Sequence, residues 1–260
     1  MAQLFNIKKE LFYFKKRCLK KSGKILRDLR RLVAPRKAIT STNCFEVPII
    51  INNRNRYTFL KMMVDQLVSF GYKNIFILDN DSNYPPLLEY YKSVPAKVIF
   101  LGKNVGYKAL WETRVFEQFK NNYYVYSDPD ILMQEDCPKD FVYALYSKLI
   151  KYPSKEKAGV ALKINDLPDH YVNKKEVLEN EKVFWTKELE PEVFDAIVDT
   201  TLALYRPFAH GNAEECNAIR VGGNLAACHL TWYLDSNNLP EEELFYKKSI
   251  KSNTSVYSVK

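Results

Sequence analysis

Val47-Pro48-Ile49-Ile50-Ile51, followed at once by Asn52-Asn53-Arg54-Asn55, is a short, nearly all-apolar run that ends in a polar loop. A strand covered on both faces needs such a run, because neither side of its pleat meets water. Tyr57 to Phe70 then carries Leu60, Met63, Val64 and Leu67 at helical spacing, and Gly71 stops the helix. The same alternation continues with a strand at 74–78, a helix around 86–91, a strand at 97–101, a helix at 108–119 and a strand at 123–126. Four strand–helix alternations in about eighty residues predict βαβ units, a mostly parallel sheet and helices on both faces. Ligands of such sheets sit beyond the carboxyl ends of the strands. Those positions hold Asn52-Asn53-Arg54-Asn55, Asp79-Asn80-Asp81-Ser82, Gly102-Lys103-Asn104-Val105-Gly106 and Ser127-Asp128-Pro129-Asp130. Turn chemistry accounts for one or two loops rich in Asn, Asp and Gly. Four on one sheet edge call for more.

Asp128 and Asp130 stand two residues apart beyond the fourth strand, with Pro129 stiffening the backbone between them. Two such carboxylates can offer oxygen ligands to a hard divalent cation that also holds a diphosphate, although Asp-X-Asp alone is most often a turn or a solvated edge. With an Asp closing the second strand and Asn-Val-Gly after the third, the pattern over Val47 to Asp235 resembles nucleotide-sugar-dependent glycosyltransferases of the Rossmann-like GT-A fold, most nearly the bacterial family 2-like group. The resemblance implies that Asn52, Arg54 and Asp79 hold the base and ribose, and that Asn104, Gly106, Lys108 and Trp111 lie near the nucleotide. It also implies that Asp128 and Asp130 carry a Mn²⁺ or Mg²⁺ bridging the diphosphate, with His229 as the late histidine that completes the metal shell in several such enzymes. Two features depart from the family: the first loop reads Asn-Asn-Arg-Asn-Arg, and no Glu-Asp pair stands where inverting members carry their base.

The second half is less regular. A helix is expected at 141–150 and a strand at 158–164. The stretch 165–195 shows no strong period and carries His170, Tyr171 and Trp185; the resemblance implies that it covers the acceptor, with His170 and Trp185 as acceptor-binding candidates. Tyr171 and Trp185 offer aromatic faces to sugar rings or fill the core equally well. Ala196 to Tyr205 reads as an apolar strand with Asp199 near its start. A carboxylate there either caps a strand end or faces the site as the base that takes a proton from an acceptor hydroxyl, and Glu214 and Glu215 compete for that role. Arg220 and Arg206 are candidates to neutralise a departing diphosphate through their planar forks. His229, beside Cys228 and Leu230, reads as a metal ligand or as a satisfied core histidine.

Residues 1–40 hold thirteen Lys/Arg against Glu10 and Asp28, so this segment is at +11 while the whole chain is at +8 and the remainder at −3. Leu4, Ile7, Leu11, Phe14 and Cys18, and then Leu26, Leu29 and Val33, recur at steps of three and four, which predicts basic amphipathic helices. Such a segment can lie on an anionic leaflet, dock on a protein surface or bind nucleic acid. We take the inner-leaflet membrane surface as its partner and expect no nucleic acid. No stretch reaches the roughly 20 apolar residues of a membrane span, and no secretory h-region follows the first basic residues. The five cysteines are scattered without a C-x-x-C pair, as in reduced cytosolic proteins.

The expected organisation is a basic helical segment, 1–40, before a GT-A domain, 41–260, with a donor half at about 47–135 and an acceptor half at about 136–248. The expected activity is metal-dependent, hexosyltransferase-like transfer of a sugar from a nucleotide-sugar donor to a hydroxyl of a glycan or lipid-linked acceptor. The expected setting is bacterial surface-polysaccharide synthesis at the cytoplasmic face of the membrane. Two alternatives stand beside it. A nucleotidyltransferase of similar fold would carry a Gly-rich basic loop after the first strand, which is missing here. A non-catalytic membrane- or nucleic-acid-binding protein would act through the basic arm. No G-x-G-x-x-G follows the first strand, which excludes a dinucleotide dehydrogenase.

Overall fold

The computed structural model describes residues 37–211 and 217–249, and before them Ile25, Arg27, Leu29 and Arg30. The chain divides into two units, 1–37 and 38–260. In the first, those four residues are helical; the other residues of 1–36 lie outside the described residues, as do Glu214, Glu215 and the tail after Ser249. No helix among the described residues is long and apolar enough to cross a membrane.

The second unit is built on a nine-stranded mixed sheet in the order β3-β2-β1-β4-β9-β6-β10-β8-β7. Its strands are β1 (Ile49–Asn53), β2 (Ile75–Asp79), β3 (Lys97–Phe100), β4 (Tyr124–Ser127), β6 (Lys157–Val160), β7 (Glu188–Glu190), β8 (Val193–Phe194), β9 (Ala203–Tyr205) and β10 (Ala218–Val221). Strands β1 to β4 run parallel, as the alternation predicts, while β9 enters antiparallel between β4 and β6. A separate antiparallel pair joins β5 (Ile131–Met133) to β11 (Ala227–His229). The helices are α1 (Thr58–Phe70), α2 (Pro85–Tyr90), α3 (Phe116–Phe119), α4 (Phe141–Lys151), α5 (Lys174–Glu181) and α6 (Glu241–Ser249).

The period-2 alternation of β1 and β4 sends side chains into two cores. Ile49, Ile51 and Val125 pack with Leu60, Met63, Val64 and Leu67 of α1 and with Phe141, Val142, Leu145 and Leu149 of α4. Ile50, Tyr124 and Tyr126 pack on the other face with Leu110, Trp111, Val115, Phe119 and Tyr205. Each fully buried aliphatic side chain contributes about 1.5–3 kcal/mol. α1 ends where Gly71 takes φ +101, a left-handed conformation that costs a residue without Cβ nothing, and Tyr72 N–H closes the turn on the Leu67 carbonyl at 3.0 Å.

Three expected elements differ. In place of a helix at 108–119 there is a run of tight turns with N–H groups bonded three residues back, followed by the four residues of α3. Trp111 accounts for this, since its ring is drawn into the second core and its Nε1 donates to Tyr124 Oη at 3.0 Å. Ala196 to Tyr205 pairs only over its last three residues, and 158–164 shortens to β6. The stretch 165–195 contains α5, a 3₁₀ turn and the hairpin β7–β8.

Candidate active site

Strand order places β1 between β2 and β4, so the chain reverses its direction of travel across the sheet between β1 and β4. Open α/β sheets hold ligands at such switch points. The register aligns the strand ends there, with Ile51 opposite Ser127 and Asn53 opposite Asp79. Asp128 follows directly. Its N–H donates to the Thr200 carbonyl at 3.1 Å, and the Thr200 hydroxyl donates to Asp128 Oδ2 at 2.7 Å. Asp130 is 2% exposed and leads into β5. Pairing of β5 with β11 sets His229 opposite Ile131, and Leu230 N–H donates to the Asp130 carbonyl at 2.8 Å. His229 Nε2 thereby lies 3.9 Å from Asp130 Oδ2. The imidazole is fixed by stacking on Trp232, centroids 4.7 Å apart, and by a 2.6 Å hydrogen bond between Nδ1 and the Thr231 hydroxyl.

Arg56, in the loop after β1, is the main cation of the cluster. Its Nη1 is paired with Asp130 Oδ2, its Nη2 lies 3.2 Å from Glu243 Oε2 of α6, and its guanidinium covers the Tyr246 ring at 4.2 Å. Burial and the neighbouring Asp130 charge push the Asp128 carboxyl well above the ordinary carboxylate range, against the Thr200 hydrogen bond. Burial acts the same way on Asp130, but the neighbouring His229 and Arg56 outweigh it and hold Asp130 below that range, Arg56 being the charged partner in contact. Burial depresses His229, which favours its neutral form, and raises Glu243 despite Arg56.

Among the described residues no three His, Cys, Asp or Glu side chains converge as an all-protein metal cage requires. Small hard cations that serve phosphates commonly need only one or two carboxylates, with the substrate supplying the remaining oxygens. That donor set fits here: Asp130 Oδ1 is buried without a hydrogen-bond partner, and Asp128 stands beside it.

The loops after β1, β2 and β3 are stitched together. Asn52 Nδ2 and Asn80 Nδ2 donate to the Gly106 carbonyl at 3.3 and 2.9 Å, and Asn80 Oδ1 accepts from Val105 N–H at 2.6 Å. Gly106 sits at φ +85, and Asn104 Oδ1 accepts its N–H at 2.9 Å. Asp79 is buried, accepting Tyr91 O–H at 2.9 Å and Ser82 N–H at 3.1 Å, so both of its oxygens hold the loop. Asn52 Oδ1 and Asn53 Oδ1 are buried and unpartnered. Lys108 lies over the Tyr107 ring at 5.3 Å. Arg54 turns toward α6, donating to Ser249 O at 2.7 Å and Oγ at 3.1 Å.

Other expected residues are dispersed. Asp199 is exposed on the irregular stretch before β9, and its charge adds to the upward push on Asp128. Arg220 is not turned to the sheet edge; it is buried with Nη1 2.5 Å from Glu181 and Nε on the Ile197 carbonyl at 2.7 Å. Arg206 holds the Lys155 and Leu149 carbonyls at 2.7 Å each. Tyr171 belongs to the core, His170 is exposed, and half-buried Trp185 meets Phe194 edge-on at 5.2 Å. Trp111, expected near the nucleotide, lies in the second core. The sequence reading missed Arg56, Thr200, Glu242, Glu243 and Tyr246. One signal was available for the loop, because Arg56-Tyr57-Thr58 opens α1 with no Ser, Asp or Asn at its cap position, so its first N–H groups need a distant acceptor.

No family model and no curated protein matches the sequence. Solved structures of similar topology include GT-A glycosyltransferases. Mannosyltransferase PcManGT from Pyrobaculum calidifontis, in complex with GDP-Man and Mn²⁺, is 14% identical with a TM-score of 0.47, over 90% of this chain and 74% of its own. Glucosyl-3-phosphoglycerate synthase from Mycobacterium tuberculosis, in complex with phosphoglyceric acid, is 14% identical with a TM-score of 0.45, over 81% and 80%. A cytidylyltransferase from Leptospira borgpetersenii is 12% identical with a TM-score of 0.40, over 82% and 99%.

Proposed function

We propose that this chain is a metal-dependent glycosyltransferase that moves a sugar, hexosyl in type, from a nucleotide-sugar donor to a hydroxyl of a glycan or lipid-linked acceptor. The observation that carries the reading is the arrangement at the switch point. There β4 delivers Asp128 and Asp130 to the sheet edge, β11 brings His229 beside them, and one buried Asp130 oxygen is unpartnered. Asp128 and Asp130 would hold Mn²⁺ or Mg²⁺, which supplies positive charge to the leaving diphosphate. His229, fixed by Trp232 and Thr231, contributes a neutral imidazole nitrogen on the Asp130 side. Asn52 and Asn53 offer unpartnered carbonyl oxygens to the nucleotide, and Gly106 lets backbone approach it without a Cβ. Asp199 is exposed and its charge reaches Asp128, which supports assigning it the proton of the attacking hydroxyl, with Glu214 and Glu215 as its competitors. Residues 1–40 would hold the enzyme on an anionic inner leaflet, where lipid-linked acceptors of surface polysaccharide lie.

Thermal unfolding of the full chain against UDP, GDP and dTDP, each with and without Mn²⁺, tests this reading, since a ligand of the native state raises its stability by mass action. A Mn²⁺-dependent shift with one diphosphate that Asp130→Asn abolishes is the expected result. No shift with any nucleotide overturns it.

A further inference from the structure

α6 is an unusual helix to find over a sheet edge. Its buried residues are Glu242 and Glu243, while Leu244 is 46% exposed. Polar links rather than apolar burial therefore do most of the work of holding it, helped by Phe245 against Tyr84, ring centroids 4.9 Å apart. Every one of those links ends in the loop after β1 and the start of α1. Glu242 accepts Tyr57 N–H at 2.6 Å, Thr58 N–H at 2.9 Å and the Thr58 hydroxyl at 2.5 Å. Glu243 takes Arg56, and Ser249 takes Arg54.

Taken from the receiving side, this is an oxyanion site. Two guanidinium groups, two backbone N–H groups at a helix N-terminus with no local cap, and one hydroxyl converge on acceptor oxygens. Helix N-termini and planar arginine forks are the groups that bind phosphate oxygens. A second, independent feature points to a further ligand. Arg56 Nε is buried on a residue more than nine-tenths covered and has no hydrogen-bond partner among the described residues. The guanidinium therefore keeps an unused N–H donor that the carboxylates of α6 do not satisfy.

We infer that Arg54, Arg56 and the first N–H groups of α1 form a diphosphate-binding site that α6 fills with the Glu242 and Glu243 carboxylates and the Ser249 oxygens, so that α6 and the diphosphate of a nucleotide sugar compete for the same hydrogen-bond donors. This rests on the donor-site reading above. α6 is then a displaceable plug: an incoming diphosphate takes over Arg56, Glu243 loses its counter-ion, and the helix lifts from the edge. Held by few apolar contacts, α6 belongs to the low-stability part of the fold from which moving elements are drawn.

The test uses the full chain with inorganic pyrophosphate and Mg²⁺. Pyrophosphate binding is measured by calorimetry, and backbone amide exchange over 241–249 is followed by mass spectrometry. Pyrophosphate should bind and speed exchange in α6. Glu243→Gln keeps the side-chain length but removes the negative charge that faces Arg56, and should tighten pyrophosphate about tenfold, in line with the usual worth of a hydrogen bond to a charged group. Binding with unchanged or slowed exchange in α6, or equal affinity in E243Q, refutes the plug and leaves the donor site standing. Absence of binding in both proteins refutes the oxyanion site and the donor reading with it. The exchange measurement on the unaltered chain needs no variant to fold.

Discussion

Arg220 separates a structural arginine from a ligand-binding one, and the structure fixes the size of the effect. Its side chain is 4% exposed and that of Glu181 is 8% exposed, 2.5 Å apart, with Arg220 Nε on the Ile197 carbonyl and its guanidinium over Phe184 at 4.1 Å. Removing one partner of a buried pair strands the other charge, so Arg220→Met and Glu181→Leu should each cost about 3–5 kcal/mol. For a chain of this length that is a melting-temperature drop of roughly 6–20 °C. The double variant strands no charge. What remains is the Ile197 carbonyl without its donor, about 1–3 kcal/mol, so the two losses should fall short of additivity by at least ~2 kcal/mol. Urea unfolding of the four proteins, followed by far-ultraviolet circular dichroism, closes the cycle. Additive losses, or single losses below ~1 kcal/mol, would refute the buried-pair argument. A folded double variant that no longer gains stability from Mn²⁺ and a nucleoside diphosphate would show that Arg220 serves the ligand after all.

Asp130→Asn should leave the fold cooperative while abolishing any Mn²⁺-dependent nucleotide shift, and treating the unaltered chain with EDTA should do the same; thermal unfolding reads both. Thr200→Val removes the hydroxyl that donates to Asp128 Oδ2 at 2.7 Å, which should weaken Mn²⁺ binding several-fold and cost about 1–3 kcal/mol of stability, measured by Mn²⁺ titration in the presence of the nucleotide and by urea unfolding; unchanged affinity would detach Thr200 from the site. Gly159→Ala sets a Cβ 2.5 Å from a methyl of Val198, so chemical denaturation should show a loss of about 1–3 kcal/mol from overpacking in β6.

The sequence made legible whatever depends on short-range periodicity. The apolar run Ile49-Ile50-Ile51, the spacing of Leu60, Met63, Val64 and Leu67, and the stop at Gly71 each state their own structure, and strand order then placed Asp128 and Asp130 at the edge. What escaped depends on partners far along the chain. Trp111 gives up a helix because Tyr124 and the second core claim its ring. Arg220 has the chemistry of a phosphate binder until Glu181 is seen beneath it. Glu242 and Glu243 look like the solvated first turn of a surface helix, and nothing local says that they reach back to residues 56–58.

The pairing of β5 with β11 also bears on how the molecule comes off the ribosome. Asp130 is synthesised almost a hundred residues before His229, the strand carrying that histidine closes against it only afterwards, and β4 waits about eighty residues for β9 to cover its free edge. The nascent chain up to β4 therefore emerges with an open strand edge, a surface that sticks to other chains. Slowing translation between residues 135 and 200 should lower the soluble yield of this protein, whereas a pause after residue 249 should not.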